Sequence, residues 1–344
     1  MVKTNPGRFF EDYTVGETIQ HAVPRTVSGG ERALYHALYP ARHALYSSDE
    51  FAKASGLPTA PLDDLAGFHV VFGKTVPDVS LNALANLGYA EGKFLKPIYA
   101  GDTLRTTSKV IGLKQNSNGK SGVVWVHSKG FNQNDDVVID YKRWVMVRKQ
   151  DMDAPAPETV IPELASVIDP QDLTIPAGLD FTKYDFALAG EPHRAADYNV
   201  GEKINHVDGV TIEEAEHMIA TRLWQNTAKV HFDTSARPDG TRLIYGGHVI
   251  SMARTLSFNG LANAQMIAGI NAGAHANPCL SGDTVRAWSE VLDKADTDAP
   301  GVTALRLRLV ATKGDSAHME LRGEDGRYLP EVLLDLDYWV LMPS

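Results

Sequence analysis

The sequence of 344 residues has a single cysteine, Cys279, so no disulfide can form within the chain and no cluster of thiolate metal ligands is possible. It also lacks any run of about 20 apolar residues, the length that a membrane-spanning helix requires. The segment from Met1 to Arg8 has no apolar stretch behind its lysine, unlike a secretory signal peptide. From these absences we expect a cytoplasmic protein with no membrane partner and no metal.

A surplus of basic residues is also missing, because 33 Lys and Arg stand against 43 Asp and Glu, for a formal net charge of -10. A protein that binds nucleic acid generally needs a basic face, so we expect no nucleic-acid partner. Local cationic pockets remain open, since net charge says nothing about clusters. The remaining composition, 43% hydrophobic and 22% charged, is normal for a globular protein, and the length is sufficient for two domains.

The chain contains an internal repeat. Segments Asp12–His21 and Asp197–His206 are identical at seven of ten positions, which chance rarely gives. Further matches pair Pro97–Thr103 with Pro278–Thr284, and Trp144 with Trp339. The repeat predicts two copies of one domain, over 8–150 and 192–344. Between them, residues 151–191 are rich in proline, alanine and aspartate and are predicted to be a linker or crossover.

Each copy shows the same order of predicted helices. A Ser/Thr-x-x-Glu capping box predicts a helix start in both copies, formed by Ser28 with Glu31 and by Thr211 with Glu214. One apolar helix follows in each copy, over Leu65–Thr75 and Gly247–Leu261. Because apolar residues recur there at helical spacing, we expect both of these helices to be buried.

The rest of each copy has the composition of strands separated by turns. The predicted strands are Leu84–Leu95, Asp102–Leu113, Gly122–Asn132, Val137–Arg148, Met266–Ala276, Asp283–Leu292, Val302–Ala311, His318–Arg322 and Glu331–Met342. One long apolar helix followed by antiparallel strands predicts an α+β fold in which a sheet wraps around a helix.

That layout, with Gly-Asp-Thr opening a long strand, resembles a tandem (double) hot dog fold. More specifically, the chain resembles the MaoC-like (R)-specific enoyl-CoA hydratases. In that family an Asp and a His five residues apart hold the reacting water. A glycine at the start of the central helix donates its backbone amide to the thioester oxygen.

The second copy matches this family pattern with one departure. His231 falls on the family histidine, Asn226 on the family aspartate and Gly247 on the family glycine. In the first copy the equivalent positions are Ala41 and Tyr46, so both groups are lost. The resemblance therefore implies a catalytic second half and a degenerate first half.

Three long segments resemble the mesaconyl-CoA hydratase family, whose members are also called beta-methylmalyl-CoA dehydratases. These segments are Pro61–Leu65, Phe68–Asp78 and Trp224–His231. The resemblance implies reversible hydration of mesaconyl-CoA to beta-methylmalyl-CoA. It implies an acyl-CoA partner and no cofactor.

Hydration of an enoyl thioester needs a base for water, an acid for the alpha carbon and donors for the enolate-like oxygen. A histidine such as His231 exchanges protons near neutral pH, and amides at a helix start, Gly247 with its neighbour Gly246, favour negative charge. Asn226 cannot ionise and so cannot be a base, although it can orient water. The missing carboxylate comes from Asp233, Asp63 or Asp64, or none is needed, and the sequence leaves this open.

The substrate carboxylate calls for a cation, ideally an arginine. The candidates are Arg222, Lys229, Arg237, Arg254 and Arg42, with Lys93, Lys96 or Arg286 as candidates for the CoA phosphates. His69 and His248 are expected to be structural or to line the groove. For Asp63 and Asp64, capping the first-copy helix and complementing its dipole is the favoured role over substrate binding.

Two other functions remain possible from the sequence. A hot dog thioesterase would hydrolyse the acyl-CoA, and a non-catalytic module would only bind it. Retention of His231 favours catalysis over binding alone, and the Trp224–His231 segment favours the hydratase over the thioesterase. The two fused copies supply the pairing that single hot dogs obtain by dimerising, and a homo-oligomer of such subunits remains possible.

Overall fold

The computed structural model describes residues 3–314 and 320–344, and its first half begins with one short strand followed by helices. The strands of this half are β1 (Thr18–Thr26), β2 (Ala83–Phe94), β3 (Thr103–Gln115), β4 (Ser121–Phe131) and β5 (Val137–Arg148). The helices are α1 (Gly29–Leu38), α2 (Ala44–Ser47), α3 (Asp49–Ala54) and α4 (Asp64–Thr75), which continues into a π-helical turn, Val76–Ser80.

The second half repeats this order. Its strands are β6 (Lys203–Thr211), β7 (Met266–His275), β8 (Thr284–Asp296), β9 (Val302–Lys313) and β10 (Val332–Pro343). The helices are α5 (Phe186–Ala189), which precedes β6, then α6 (Glu214–Leu223), α7 (Lys229–Phe232), α8 (Gly246–Leu256) and α9 (Phe258–Leu261). The predicted strands are confirmed within a few residues at their ends, except that predicted strand 318–322 begins outside the described residues.

All ten strands form one antiparallel sheet in the order β1-β3-β4-β5-β2-β7-β10-β9-β8-β6. The halves join where β2 pairs with β7, with Tyr89 opposite Gly273. Helix α4 packs against β3 and β1, and α8 packs against β8, β9 and β6. The sheet therefore holds one buried helix in each half, as the sequence predicts.

The two central helices meet between the halves. Every residue of α4 is buried, because its apolar residues cover all sides of the helix. His69 on α4 and Ser251 on α8 form a hydrogen bond of 2.7 Å between Nε2 and Oγ. This contact joins the middle parts of both helices across the junction of the halves.

One predicted capping box is confirmed and the other is wrong. Ser28 accepts a hydrogen bond from the Gly30 amide, and its own amide donates to Glu31 at 2.7 Å. Thr211 is instead the last residue of β6, and its hydroxyl contacts Thr284 at 2.8 Å. The helix α6 therefore begins without a side-chain cap, because the strand continues through the position where the cap was expected.

The second central helix is shorter than predicted. Helix α8 ends at Leu256, and the next turn is broken at Asn259 and Gly260, whose backbone angles are not helical. Gly260 has φ 97°, which only glycine adopts readily. The apolar pattern continued through this break because Leu261 is buried as well.

The segment from 151 to 191 is ordered chain that contacts both halves. Val160 forms an isolated bridge with Leu113 of the first half. The Ile168 amide donates to the side chain of Asn271 in the second half at 2.8 Å. The buried residues of segment 151–191, among them Phe181, pack in a hydrophobic cluster that includes residues of both halves. Within the described residues, no helix combines the length and apolar character that crossing a bilayer requires.

Candidate active site

A cavity of about 390 Å³ lies at the junction of the halves, beside the start of α8. This volume is within the range of about 300–1,000 Å³ that small-molecule sites occupy. The second half contributes Asn226, His231 and Gly246 to its wall, and the first half contributes Asn86 and Arg143. Together with Arg237, four of the predicted candidate residues therefore share one cavity.

His231 has one ring nitrogen fixed by the backbone and the other free. Its Nδ1 lies 2.7 Å from the carbonyl oxygen of Leu243, which can only accept, so Nδ1 carries the proton. Its Nε2 has no hydrogen-bond partner among the described residues. Burial lowers the pKa of His231 to about 4, so at neutral pH the ring is uncharged and Nε2 is a free proton acceptor.

Asn226 lies in a turn between α6 and α7. Gly73 of α4 makes room for this turn, since a Cβ there would lie 1.7 Å from the carbonyl oxygen of Trp224. The backbone amide of Asn226 donates to the carbonyl oxygen of Thr221 at 2.9 Å. The side-chain oxygen of Asn226 accepts from the backbone amide of Ala228 at 3.3 Å. The side chain is buried on the cavity wall, and its Nδ2 has no partner within the described chain. The turn thus presents an oriented amide to the cavity.

No Asp or Glu lines this cavity within the part of the chain that the structure describes. Asp233 is exposed and caps the 3-10 helix Thr234–Ala236, accepting from Ser235 at 2.8 Å. Asp63 and Asp64 lie at the start of α4, in the first half. The structure therefore brings none of the three candidate carboxylates to His231.

The start of α8 consists of two glycines with free amides. Tyr245 precedes the helix, and the first amide to bond back is that of His248, which donates to the Tyr245 carbonyl at 2.9 Å. The amides of Gly246 and Gly247 have no recorded partner among the described residues. A Cβ on Gly246 would lie 2.4 Å from the ring of His275, which also lines the cavity.

Gly247, the second residue of α8, packs against the rings of neighbouring side chains. A Cβ on Gly247 would lie 2.4 Å from the Tyr245 ring and 2.6 Å from the His69 ring. The cavity wall includes Gly246 but not Gly247. The structure therefore brings the predicted substrate-binding Gly246, rather than the predicted catalytic Gly247, into contact with the cavity, with both amides at the helix start.

His248 belongs to the packed interior rather than to the cavity wall. Its Nδ1 lies 3.0 Å from the hydroxyl of Tyr39, and its Nε2 is buried without a partner. The neighbouring His217 accepts the Tyr245 amide through its Nε2 at 2.9 Å. Burial lowers the pKa of His248 to about 4, so this residue is uncharged at neutral pH and packs in the interior at the first turn of α8.

Arg254 is buried in α8 but away from the cavity. Its guanidinium contacts His43 Nε2 at 2.6 Å and donates to Ser257 at 3.1 Å and to the carbonyl of Gln265 at 3.3 Å. It also donates to the Ala264 carbonyl. These contacts join α8 to the chain that follows it, and Arg254 is absent from the cavity wall.

The other predicted cations lie in different places. Arg237 is at the cavity and is already paired with Asp239 at 2.6 Å. Arg222 and Lys229 are exposed and do not line the cavity. The remaining candidates lie elsewhere: Arg42 over Phe258, Lys93 paired with Asp172, Lys96 paired with Asp136, and Arg286 donating to the Val207 carbonyl.

Sequence reasoning missed Arg143, Asn86 and His275, which also line the cavity. One signal was available for Arg143. Along β5 the buried residues alternate, and Arg143 falls in the inward register of Tyr141 and Val145. A cation at an inward-facing strand position is unusual and indicates a specific partner.

The corresponding place in the first half is filled by side chains. Tyr46 donates a hydrogen bond to Asp64, and Asp64 also accepts from the Ile267 amide at 2.7 Å. Asp63 caps α4 by accepting from the Leu65 amide at 2.9 Å. Burial raises the pKa of Asp63 to about 6 and that of Asp64 to about 7. Both aspartates thus serve α4 and not the cavity.

The family model for mesaconyl-CoA hydratase matches residues 2–318. A mesaconyl-CoA hydratase from Cereibacter sphaeroides is 73% identical over 342 residues, covering 99% of this chain and 100% of that protein. A beta-methylmalyl-CoA dehydratase from Chloroflexus aurantiacus is 59% identical over 346 residues, covering 99% and 98%.

Two solved structures share the architecture. A MaoC domain protein dehydratase from Chloroflexus aurantiacus superimposes with a TM-score of 0.97 at 57% identity, covering 100% of this chain and 99% of that chain. A double hot dog protein from Mycobacterium tuberculosis superimposes with a TM-score of 0.72 at 22% identity, covering 98% of both chains. The second likeness shows the fold alone, and the predicted tandem hot dog fold is confirmed.

Proposed function

Because this chain belongs to the mesaconyl-CoA hydratase family, we propose that it is a hydro-lyase that converts mesaconyl-CoA reversibly into beta-methylmalyl-CoA. One observation carries the proposal. A neutral imidazole with a free Nε2, an oriented amide and a glycine-rich helix start meet in one cavity, through His231, Asn226 and Gly246. These are the groups that hydration of an enoyl thioester requires.

His231 is the proton carrier in this proposal. Its Nε2 accepts a proton from water while the water oxygen bonds to the beta carbon of the thioester. The electron pair of the double bond moves towards the thioester carbonyl. The imidazolium then returns its proton to the alpha carbon, so one water is consumed and the histidine is regenerated. Dehydration follows the same steps in reverse.

The start of α8 stabilises the enolate-like oxygen. The free amides of Gly246 and Gly247 are donors at the positive end of an eleven-residue helix. A preorganised pair of donors acts on the charge that develops in the transition state, and removing one such donor typically costs about 10²–10³ in rate. The Tyr245 amide is unavailable because it donates to His217.

Asn226 holds the water without adding charge. An amide both donates and accepts, so it orients the attacking water as the family carboxylate would, but it leaves the proton transfer to His231. Mesaconyl-CoA carries a free carboxylate next to the double bond. An additional carboxylate at position 226 would repel it, so an uncharged residue suits a dicarboxylic substrate.

The reaction, as proposed, transfers only protons and water between the substrate and this chain's own residues. We therefore expect no cofactor beyond the CoA thioester itself. Arg237, paired with Asp239 at the cavity, is the candidate among the predicted cations that is placed to meet a bound acyl-CoA.

The test is incubation of the protein with mesaconyl-CoA while the enoyl-thioester absorbance and free thiol are followed together. Hydration lowers the absorbance and releases no thiol, and mass spectrometry shows the product heavier by one water. Release of thiol would identify a thioesterase instead. Binding of mesaconyl-CoA with unchanged absorbance would leave a binding module and would overturn the proposal.

A further inference from the structure

Arg143 is a fully buried cation with no counter-ion among the described residues. Its guanidinium donates to Thr75 at 2.8 Å, to Asn86 at 3.3 Å and to Ser80 at 3.4 Å. It stacks over Phe72 at 4.3 Å. All of these partners are uncharged, and the Nε of Arg143 is buried without any acceptor.

A second donor on the same cavity wall also lacks an acceptor. Asn86 accepts from Arg143 through its oxygen, whereas its Nδ2 is buried and unpaired. Leaving a buried donor unpaired is destabilising, and more so for a charged group. Arginine cannot lose its proton in a protein, so its charge cannot be removed by deprotonation. Both residues line the cavity.

In the first half, two aspartates at the start of the central helix lie within the electrostatic influence of an arginine from the second half. There Asp63 and Asp64 stand at the start of α4, and the charge of Arg254 from the opposite half favours their ionised forms. The second half has glycines at the start of its helix, and the cation from the opposite half is Arg143. The first turn of α8 contains no acidic residue.

We propose that Arg143, assisted by Asn86, binds the free carboxylate of the substrate and makes the enzyme specific for dicarboxylic enoyl-CoA thioesters. The inference deepens the proposed function and rests on it for the reaction. In mesaconyl-CoA the free carboxylate is attached to the beta carbon. Anchoring it on Arg143 holds that carbon in the cavity that His231 lines. The guanidinium offers Nε and Nη together, a geometry that fits a carboxylate.

The binding arm of the experiment needs no catalysis. Succinyl-CoA and butyryl-CoA have acyl chains of equal length that end in a carboxylate or a methyl group. By calorimetry, the wild-type protein should bind succinyl-CoA about 10- to 100-fold more tightly, the effect expected for hydrogen bonds to a charged group. Arg143→Gln should remove this preference while leaving butyryl-CoA binding within a few-fold.

The kinetic arm compares fumaryl-CoA with crotonyl-CoA, which differ in the same way. Arg143→Gln should lower kcat/KM for fumaryl-CoA by about 10- to 100-fold and change that for crotonyl-CoA little. Arg143→Lys keeps the charge and should retain part of the preference. Arg105→Gln is the control. It removes an arginine of the same half that pairs with Asp135 outside the cavity, and it should leave the ratio between the two substrates unchanged.

The outcomes separate this inference from the proposed function. A wild-type preference for succinyl-CoA without hydration of mesaconyl-CoA supports the carboxylate site and overturns the function. Hydration with no preference between fumaryl-CoA and crotonyl-CoA overturns the carboxylate site alone. If Arg143→Gln does not fold, Arg143→Lys and the wild-type substrate pair still decide. An unchanged substrate ratio in a folded Arg143→Gln protein also overturns the inference.

Discussion

The two halves have the same elements around two corresponding places, but only one place is open. In the second half, α7 and the start of α8 present His231 and Gly246 to a cavity. In the first half, α2 and the start of α4 present Tyr46 and Asp64, which bond to each other. A carboxylate belonging to the protein there occupies a helix start that favours negative charge. In the first half, contacts between side chains therefore fill the place that corresponds to the cavity of the second half.

Features that both halves keep are structural by the same comparison. His21 contacts Ser108 and His206 contacts Ser289, each through Nε2 at 2.8 Å. Both histidines lie on the first strand of their half, and neither lines the cavity. Conversely, the groups that differ between the halves are those that meet the substrate in our proposal.

The largest effect is expected from removing the imidazole of the second half. His231→Ala should lower kcat by about 10²–10⁴-fold, the usual contribution of a general acid-base group. Its first-half counterpart, Tyr46→Phe, lies outside the cavity and should keep most of the activity. The measurement is mesaconyl-CoA hydration with circular dichroism as the check of folding. Equal losses in both variants would show that the halves are not divided as proposed.

A charge at position 226 should act on the substrate more than on the fold. Asn226→Asp restores the carboxylate of the wider family but places it beside a dicarboxylic substrate. At an effective dielectric constant of about 20, two like charges several ångströms apart repel by a few kcal/mol. We expect kcat/KM for fumaryl-CoA to fall about 10- to 100-fold relative to crotonyl-CoA. A parallel change for both substrates would argue against the electrostatic reason for asparagine.

Added bulk at the open helix start should narrow the cavity. In Gly246→Ala the new Cβ would lie 2.4 Å from the His275 ring, so that ring must move. We expect a loss of about 10-fold in kcat/KM with a folded protein, by analogy with small misplacements at active sites. The control is Gly29→Ala, where the new Cβ would have open space. Gly282→Ala is unsuitable as a control, because φ at Gly282 is 92° and alanine would be strained there. Wild-type activity in Gly246→Ala would place the substrate elsewhere.

The smallest effect should be a pH dependence of stability from the closed site. Burial raises the pKa of Asp64 to about 7. In the unfolded chain an aspartate has a pKa near 4. Between about pH 4 and pH 7 the folded state therefore binds more protons than the unfolded state. The free energy of unfolding falls as the pH rises through this range. The slope for one proton is at most about 1.4 kcal/mol per pH unit.

The variant Asp64→Asn cannot ionise but keeps an oxygen that can accept from Tyr46 and Ile267. Urea denaturation between pH 5 and 8 should therefore show a flatter profile than the wild type. Hydration should persist, because Asp64 lies outside the cavity. An identical slope in the two proteins would mean that Asp64 does not titrate in this window.

The repeat made much of the fold readable from the sequence. The ten-residue match revealed the duplication, and β5 was predicted with its observed ends, Val137 and Arg148. The prediction failed at Thr211, where a local capping pattern was outweighed by strand pairing with Thr284. Local signals decide an element only where tertiary pairing does not compete.

The candidate site was readable in part. His231 and Asn226 lie five positions apart, so a short motif could identify them together. Arg254 looked like a substrate cation because it is a charge on an apolar helix, but its partners are His43 of the first half and the chain that follows α8. Arg143 was missed because its strand belongs to the other half and no motif joins it to His231.

By itself the sequence determined the duplication, the order of strands and helices, and the half that keeps an imidazole, because each is written in residues near one another along the chain. Only the tertiary structure decided which groups face the cavity. The pairing of β2 with β7 joins the strands of the two halves in one sheet, and the cavity at this junction is lined by Arg143 and Asn86 of the first half and His231 of the second. Contacts between distant segments depend on how the strands and helices of the two halves pack, and no local pattern encodes them.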